Sequence, residues 1–329
     1  MSIVKLLLKK SSPQQGIVLY YLVAIVGAFL LLNLPGVHKP GVKVAPIDTL
    51  FVAVSGVSVT GLTPVNISET YSAFGYIVLL VILNIGGIGV MAIGTLLWVV
   101  LGKHIGIRER QLIMLDNNRE AMSGTVKLIL DIVRTILVIE LVGATLLAFY
   151  FYQDIHDLKE AILQGVFVSI SATTNGGLDI TGDSLIPYAN DYFVQTIVMF
   201  LIVLGSIGFP VLLEIKAYIK NRIPNFRFSL FTKVTTVTYL LILIVGMLGI
   251  LLIEAHHIDF IKIYFEIMSA FGTCGLSTGI TSELGSVSKV VLMILMFIGR
   301  VGLISFIIMM SGNREPAKYH FPKERIQIG

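Results

Sequence analysis

Long apolar runs separated by short polar stretches set the pattern of this chain. Runs at about 17–34, 72–101, 126–152, 192–219, 229–253 and 287–311 each approach or exceed the roughly 20 residues needed to cross the hydrocarbon core of a bilayer. They are continuous rather than alternating, which predicts helices and not the strands of a barrel. Three mixed stretches, 36–71, 153–191 and 254–286, lie between the members of successive pairs. The order is therefore helix, loop, helix, three times over.

Each mixed stretch contains the same phrase. Phe51, Ser55, Gly61 and Leu62 recur at identical offsets as Phe167, Ser171, Gly177 and Leu178, and again as Phe265, Ser269, Gly275 and Leu276. A further serine follows each glycine at one distance: Ser68, Ser184 and Ser282. From Phe51 to about Ser58, and in the equivalent stretches, the sequence predicts a helix of about two to three turns, too short to cross a bilayer. Such a segment must dip in and turn back. Irregular backbone at membrane depth is tolerated only when it is buried in protein or lines a water-filled cavity.

The three predicted turns are Ser58-Val59-Thr60-Gly61, Thr174-Asn175-Gly176-Gly177 and Gly272-Thr273-Cys274-Gly275. With few charged groups, they offer a cation only carbonyl and hydroxyl oxygens. Rings of carbonyls that replace a hydration shell are how potassium filters select. Glycine supplies a backbone conformation closed to other residues and lets carbonyls approach the axis. The C-terminal end of each short helix adds partial negative charge at the pore centre. K+ held by backbone carbonyls near Gly61, Gly177 and Gly275 is the expectation. Asp179 is expected to be a solvated loop residue near the entrance.

Composition agrees. The 329 residues are 55% hydrophobic and 13% charged, with a mean hydropathy of +0.89; soluble domains carry about 25% charged residues. Most of the 24 basic residues cluster at one set of helix ends, including Lys5, Lys9, Lys10, Arg108, Arg110, Lys220, Arg222, Lys323 and Arg325. By the positive-inside rule both termini are cytoplasmic and the repeated loops open outward. The chain reads as an all-α polytopic membrane protein of helix–pore loop–helix units around a central ion pathway. Unit one spans 1–110, unit two 111–225 and unit three, with a cytoplasmic tail, 226–329. The basic residues sit in separate juxtamembrane loops, which gives nucleic-acid binding no support. The single cysteine, Cys274, excludes an intrachain disulfide.

The second helix of each unit carries a glycine pair: Gly86 and Gly89, Gly205 and Gly208, Gly299 and Gly302. Either a helix bend or close packing accounts for them. Arg300 lies in the middle of the last span. An intramembrane arginine normally faces a cavity or a partner, and in a cation path it reads as a barrier or gate. Glu140 is expected to be a buried residue that hydrogen-bonds between helices.

Thr60-Gly61-Leu62-Thr63, Asn175-Gly176-Gly177-Leu178, Cys274-Gly275-Leu276-Ser277-Thr278-Gly279 and Phe297-Ile298-Gly299-Arg300-Val301-Gly302 resemble the Trk/Ktr/HKT superfamily of K+ transporters. The bacterial Ktr membrane subunit is the nearest pattern. The resemblance implies K+ uptake across the bacterial plasma membrane, Na+ as an activator or coupling ion, and a homodimer. It also implies a cytosolic RCK-type ring that carries the nucleotide. The family has four units, and this chain shows three filter loops. The outer helix of unit three resembles the family's third unit, while its filter and inner helix resemble the fourth. One loop with its inner helix and the next outer helix is thus expected to be missing near 254–258.

Two other readings stand beside this one. A shortened, non-conducting or regulatory membrane subunit fits the missing unit. A membrane hydrolase would need a base within reach of Ser171 or Ser269, and no histidine lies deep in a predicted span.

Overall fold

The computed structural model describes residues 13–89, 125–221, 226–254 and 259–301. Most of the inner linker 102–125, Gly302 and the basic tail lie outside the described residues. The described chain is helical, and the β-pairing among the described residues is an isolated bridge between His38 and Tyr71.

Unit one comprises α1 (Pro13–Leu32), the re-entrant α2 (Pro46–Ser58), a single turn α3 (Ile67–Thr70) and α4 (Ala73–Ile88). Unit two comprises α5 (Thr125–Ile155), the re-entrant α6 (Leu158–Thr173), α7 (Tyr192–Ser206) and α8 (Phe209–Asn221). Unit three comprises α9 (Leu230–Ile253), the re-entrant α10 (Phe260–Phe271) and α11 (Ser286–Val301).

Helix starts follow their local chemistry. Pro46 opens α2, where its missing N–H costs nothing. Asp157 accepts from the N–H groups of Lys159 and Glu160 at the start of α6, and Asp191 from Phe193 and Val194 at the start of α7. Ser229 caps α9 by accepting from Thr232 N at 3.2 Å, and its own N–H donates to Glu214 Oε1 at 2.6 Å, so α8 is tied to α9 across the unit boundary.

Two described helices, Val126–Ile155 and Leu230–Ile253, are long and apolar enough to cross a membrane. Both leave large apolar side chains uncovered, among them Leu141 and Phe149 on α5 and Leu241, Val245 and Leu252 on α9. Apolar surface of that extent belongs against lipid rather than water.

Two expectations need correction. The re-entrant helices have 13, 16 and 12 residues, so they run three to four and a half turns rather than two to three. At 1.5 Å per residue they still fall short of a core about 30 Å thick. The expected span 192–219 is also not one helix: α7 and α8 meet at a bend of 108°. The cause is local. Gly208 has φ +97°, a left-handed conformation that ends a helix, and Pro210 cannot continue the ladder. Gly89, the counterpart of Gly208, has φ +100° and caps α4 in the same way.

The first glycine of each pair does different work. A methyl group on Gly205 would lie 2.1 Å from the carbonyl oxygen of Thr173, one on Gly299 2.0 Å from that of Phe271, and one on Gly86 2.7 Å from that of Val57. Each contacted carbonyl belongs to the residue four before Gly61, Gly177 or Gly275, the glycine of the turn in its own unit. Every inner helix is thus pressed backbone to backbone against the end of its re-entrant helix, which a Cβ would prevent. In unit two both functions weighed for the pair are present, close packing at Gly205 and a bend at Gly208.

Gly205→Ala is expected to destabilise the fold by about 1–3 kcal/mol, the usual cost of overpacking. Gly249 has nothing within 4 Å of a built Cβ, so Gly249→Ala is expected to be neutral or slightly stabilising. Thermal unfolding of both variants in detergent checks the contrast; equal midpoints would contradict it.

Candidate ion-selectivity site

Each re-entrant helix ends in the same hydrogen-bonded turn. Thr60 N donates to Ser55 O at 2.9 Å, Gly176 N to Ser171 O at 2.8 Å and Cys274 N to Ser269 O at 2.8 Å. The preceding N–H groups also repeat: Val59 to Gly56 O, Asn175 to Ala172 O and Thr273 to Ala270 O. These bonds satisfy the last carbonyls of a helix whose end would otherwise be buried and unpaired.

The backbone then alternates. Val59, Asn175 and Thr273 have φ of 54°, 56° and 53°, and Gly61, Gly177 and Gly275 have φ of 79°, 62° and 88°. Thr60, Gly176 and Cys274 lie between them without positive φ. Two left-handed residues flanking one ordinary residue, three times over, is an unusual backbone for L-amino acids. Strain of this kind persists only where the surroundings enforce it, and such places are commonly functional.

The three turns meet. A Cβ built on Gly61 would lie 2.9 Å from Gly176 O, 3.1 Å from Gly177 Cα and 3.3 Å from Cys274 O. One on Gly177 would lie 2.0 Å from Cys274 O and 3.3 Å from Gly275 Cα. Residues far apart in sequence therefore present bare backbone to one another. Three helix C-termini, with their partial negative charge, lead into the same place.

The side chains of the predicted filter residues mostly fasten the turns. Ser58 Oγ donates to Val54 O at 2.7 Å and pairs with Thr60 Oγ1 at 2.7 Å. Thr174 Oγ1 bonds back to Ile170 O at 2.7 Å. The buried amide of Asn175 is oriented to donate to Ala172 O at 3.2 Å and to accept from Ser206 N at 3.3 Å, which joins filter two to the α7–α8 bend. Cys274 is fully buried and lies in the core with Phe271 and Leu276. Asp179 is not a free loop carboxylate: its Oδ2 accepts from Thr181 Oγ1, Gly182 N and Ser184 N at 2.8–2.9 Å and shapes the outer loop. The backbone carbonyl of Glu140 accepts from Ser169 Oγ at 2.8 Å, so the helix-to-helix bond expected there is made by its main chain. Arg300 lies on α11 directly after Gly299, and its side chain is outside the described residues.

Glu266 was not singled out in the sequence. It is buried on α10, and Oε1 accepts from Ser277 Oγ at 2.6 Å and Thr278 N at 2.9 Å, while Oε2 accepts from Thr281 Oγ1 at 2.9 Å. It anchors the chain leaving the third glycine turn. The signal was available: it stands where the other copies have Val52 and Val168, and a carboxylate in an apolar repeat position has a structural partner or a function.

One repeat feature breaks the symmetry. Ser171 Oγ donates to Leu178 O and Ser269 Oγ to Leu276 O, both at 2.6 Å. Ser55 Oγ is buried with no such partner. Leu178 and Leu276 are each 1% exposed, whereas Leu62 is 61% exposed.

Known proteins share this plan. The family model described as a cation transport protein, TrkH, matches residues 10–258 and again 238–319. The Ktr system potassium uptake protein D of Bacillus subtilis is 36% identical over 442 aligned positions, covering 98% of each chain. The potassium/sodium uptake protein NtpJ of Enterococcus hirae is 26% identical with the same coverage. The crystal structure of the potassium transporter TrkH from Vibrio parahaemolyticus superposes with a TM-score of 0.59 at 16% identity, over 90% of this chain, which spans 64% of that transporter's chain. These relatives are ion transporters and not enzymes. The 442 aligned positions exceed the 329 residues present, so at least 113 positions (442 less 329) face gaps in this chain. With the family model matching almost the whole length and a relative more than a third identical, the chain belongs to the TrkH family of cation transport proteins.

Proposed function

We propose that the chain is a potassium-translocating membrane subunit of the Ktr type. It passes dehydrated K+ inward past carbonyls of Thr60, Gly61, Gly176, Gly177, Cys274 and Gly275. The meeting of three left-handed glycine turns at one point carries this reading, because the arrangement offers a cation backbone oxygens alone. Among the described residues no group of three His, Cys, Asp or Glu side chains stands ready to hold a metal by another route. The membrane potential supplies about 2.3 kcal/mol per charge per 100 mV.

The finer features belong to the same proposal. Units 1–110, 111–225 and 226–329 each contribute one filter. Na+ activates or couples. Homodimers sit on a cytosolic nucleotide-binding ring at the inner, basic side. Arg300 forms the barrier below filter three, since the contact of Gly299 with Phe271 O brings that stretch of α11 against the end of α10. A second reading, a shortened non-conducting subunit, is favoured by the gap of at least 113 positions opposite the Bacillus subtilis relative.

K+ uptake in cells lacking their own uptake systems, with and without Na+, separates the two. Uptake by the well-expressed chain supports conduction, and none supports the second reading. Where uptake is seen, Gly177→Ser should lower the K+ over Na+ preference by at least about tenfold, about 1.4 kcal/mol, because its side chain would collide with Cys274 O. Unchanged selectivity would remove the filter assignment. Arg300→Ala should raise K+ flux several-fold or loosen its control, and unchanged flux would return Arg300 to packing.

A further inference from the structure

The first left-handed residue of each glycine turn lies against the inner helix of its own unit. A Cβ built on Gly86 would lie 2.7 Å from Val59 Cγ2, one on Gly299 3.3 Å from Thr273 Cγ2, and one on Gly205 2.9 Å from the side-chain amide of Asn175. Methyl groups make the first two of these contacts and fill space. The third is made by an amide, which both donates and accepts. Asn175 is 8% exposed, and its two bonds join Ala172 O, at the end of α6, to the backbone N–H of Ser206, the last residue of α7. A side chain this buried has few other partners to turn to.

Ser206 is also where α7 gives way to the 108° bend, and α8 begins three residues on. Phe209 and Leu212 of α8 line a small cavity of about 10 Å³ with Thr173, Thr174 and Gly205, so the first turn of α8 packs beside the bonded amide. Further along, α8 is tied to α5 by Lys216 Nζ, which donates to Thr135 Oγ1 at 2.8 Å, and to α9 through Glu214 and Ser229. A change in the angle of the bend therefore moves Ser206 N against the turn that carries Gly176 and Gly177.

We propose that Asn175 is a positioning residue whose amide couples the second glycine turn to the α7–α8 bend, so that the angle of the bend sets the affinity of the site for K+. Such coupling is reciprocal: a bend that alters K+ affinity must itself respond to K+. The proposal rests on the ion-site reading above, and its test separates the two.

Hydrogen–deuterium exchange of the full chain in detergent, in K+ and in Na+ at equal ionic strength, reads the bend. The unfolding midpoint in the same solutions reads ion binding. K+ should slow exchange of the amides at 204–212 several-fold. Asn175→Val suits the backbone of the turn, because Val59 holds the equivalent place at φ 54°. It should raise the K+ concentration needed for half of the midpoint rise by about fivefold or more, and abolish the K+ effect on exchange at 204–212. A midpoint lowered equally in K+ and Na+, with the K+ dependence unchanged, would make Asn175 merely structural and overturn the proposal. Ser206→Ala keeps the backbone N–H and loses only the hydroxyl, which pairs with Tyr239 OH at 2.7 Å and with Ile202 O at 2.7 Å. It should keep the K+ effect at the bend; a loss equal to that of Asn175→Val would move the coupling to the hydroxyl and overturn the role of the amide. The two ions compared in the unsubstituted chain test the coupling even where Asn175→Val does not fold. A midpoint that rises with K+ while exchange at 204–212 is the same in both ions would overturn the coupling and leave the ion site standing. No K+ effect on that midpoint would remove the ion site, and the proposal with it.

Discussion

Three turns of backbone approach one another so closely that a side chain on Gly61 or Gly177 would overlap a neighbouring main chain, and this contact organises everything around it. The left-handed φ values at Val59, Asn175 and Thr273 aim the chain toward the meeting point, and those at the glycines keep it there. The inner helices must then fit beneath, which is why Gly86, Gly205 and Gly299 rest on re-entrant helix carbonyls. α4 ends at Gly89, with φ +100°, and α7 bends into α8 at Gly208, with φ +97°.

Much of this was legible because glycine leaves a mark in sequence. The recurring Phe, Ser, Gly and Leu marked the short helices and the glycine turns that follow them, and the paired glycines marked the inner helices. What was not legible depends on partners distant in sequence. Gly208 and Pro210 were visible as residues, yet the 108° bend was masked by apolar sequence on both sides, which reads as one continuous span. The length of the re-entrant helices was underestimated because their first turns lie upstream of the repeated phrase. Glu266 went unremarked because its partners, Ser277, Thr278 and Thr281, gather around it only once the loop has folded back.

The contrast among the three leucines shows the limit most clearly. Leu62, Leu178 and Leu276 each follow the glycine of their turn, yet Leu178 and Leu276 are buried and Leu62 is exposed. Burial at these positions therefore depends on contacts distant in sequence and not on the repeated phrase. The same holds for the serines: Ser171 and Ser269 hold their leucine carbonyls, while the buried Ser55 does not.

The most direct test of the central claim, that the three turns form a carbonyl site for K+, is the unfolding temperature of the purified chain in K+ and in Na+ at equal ionic strength. A site that binds K+ in the folded state alone raises stability by about 2.7 kcal/mol at a hundredfold excess over its dissociation constant. The account predicts a higher midpoint in K+ than in Na+, rising with K+ concentration. Identical midpoints across the K+ range would contradict it.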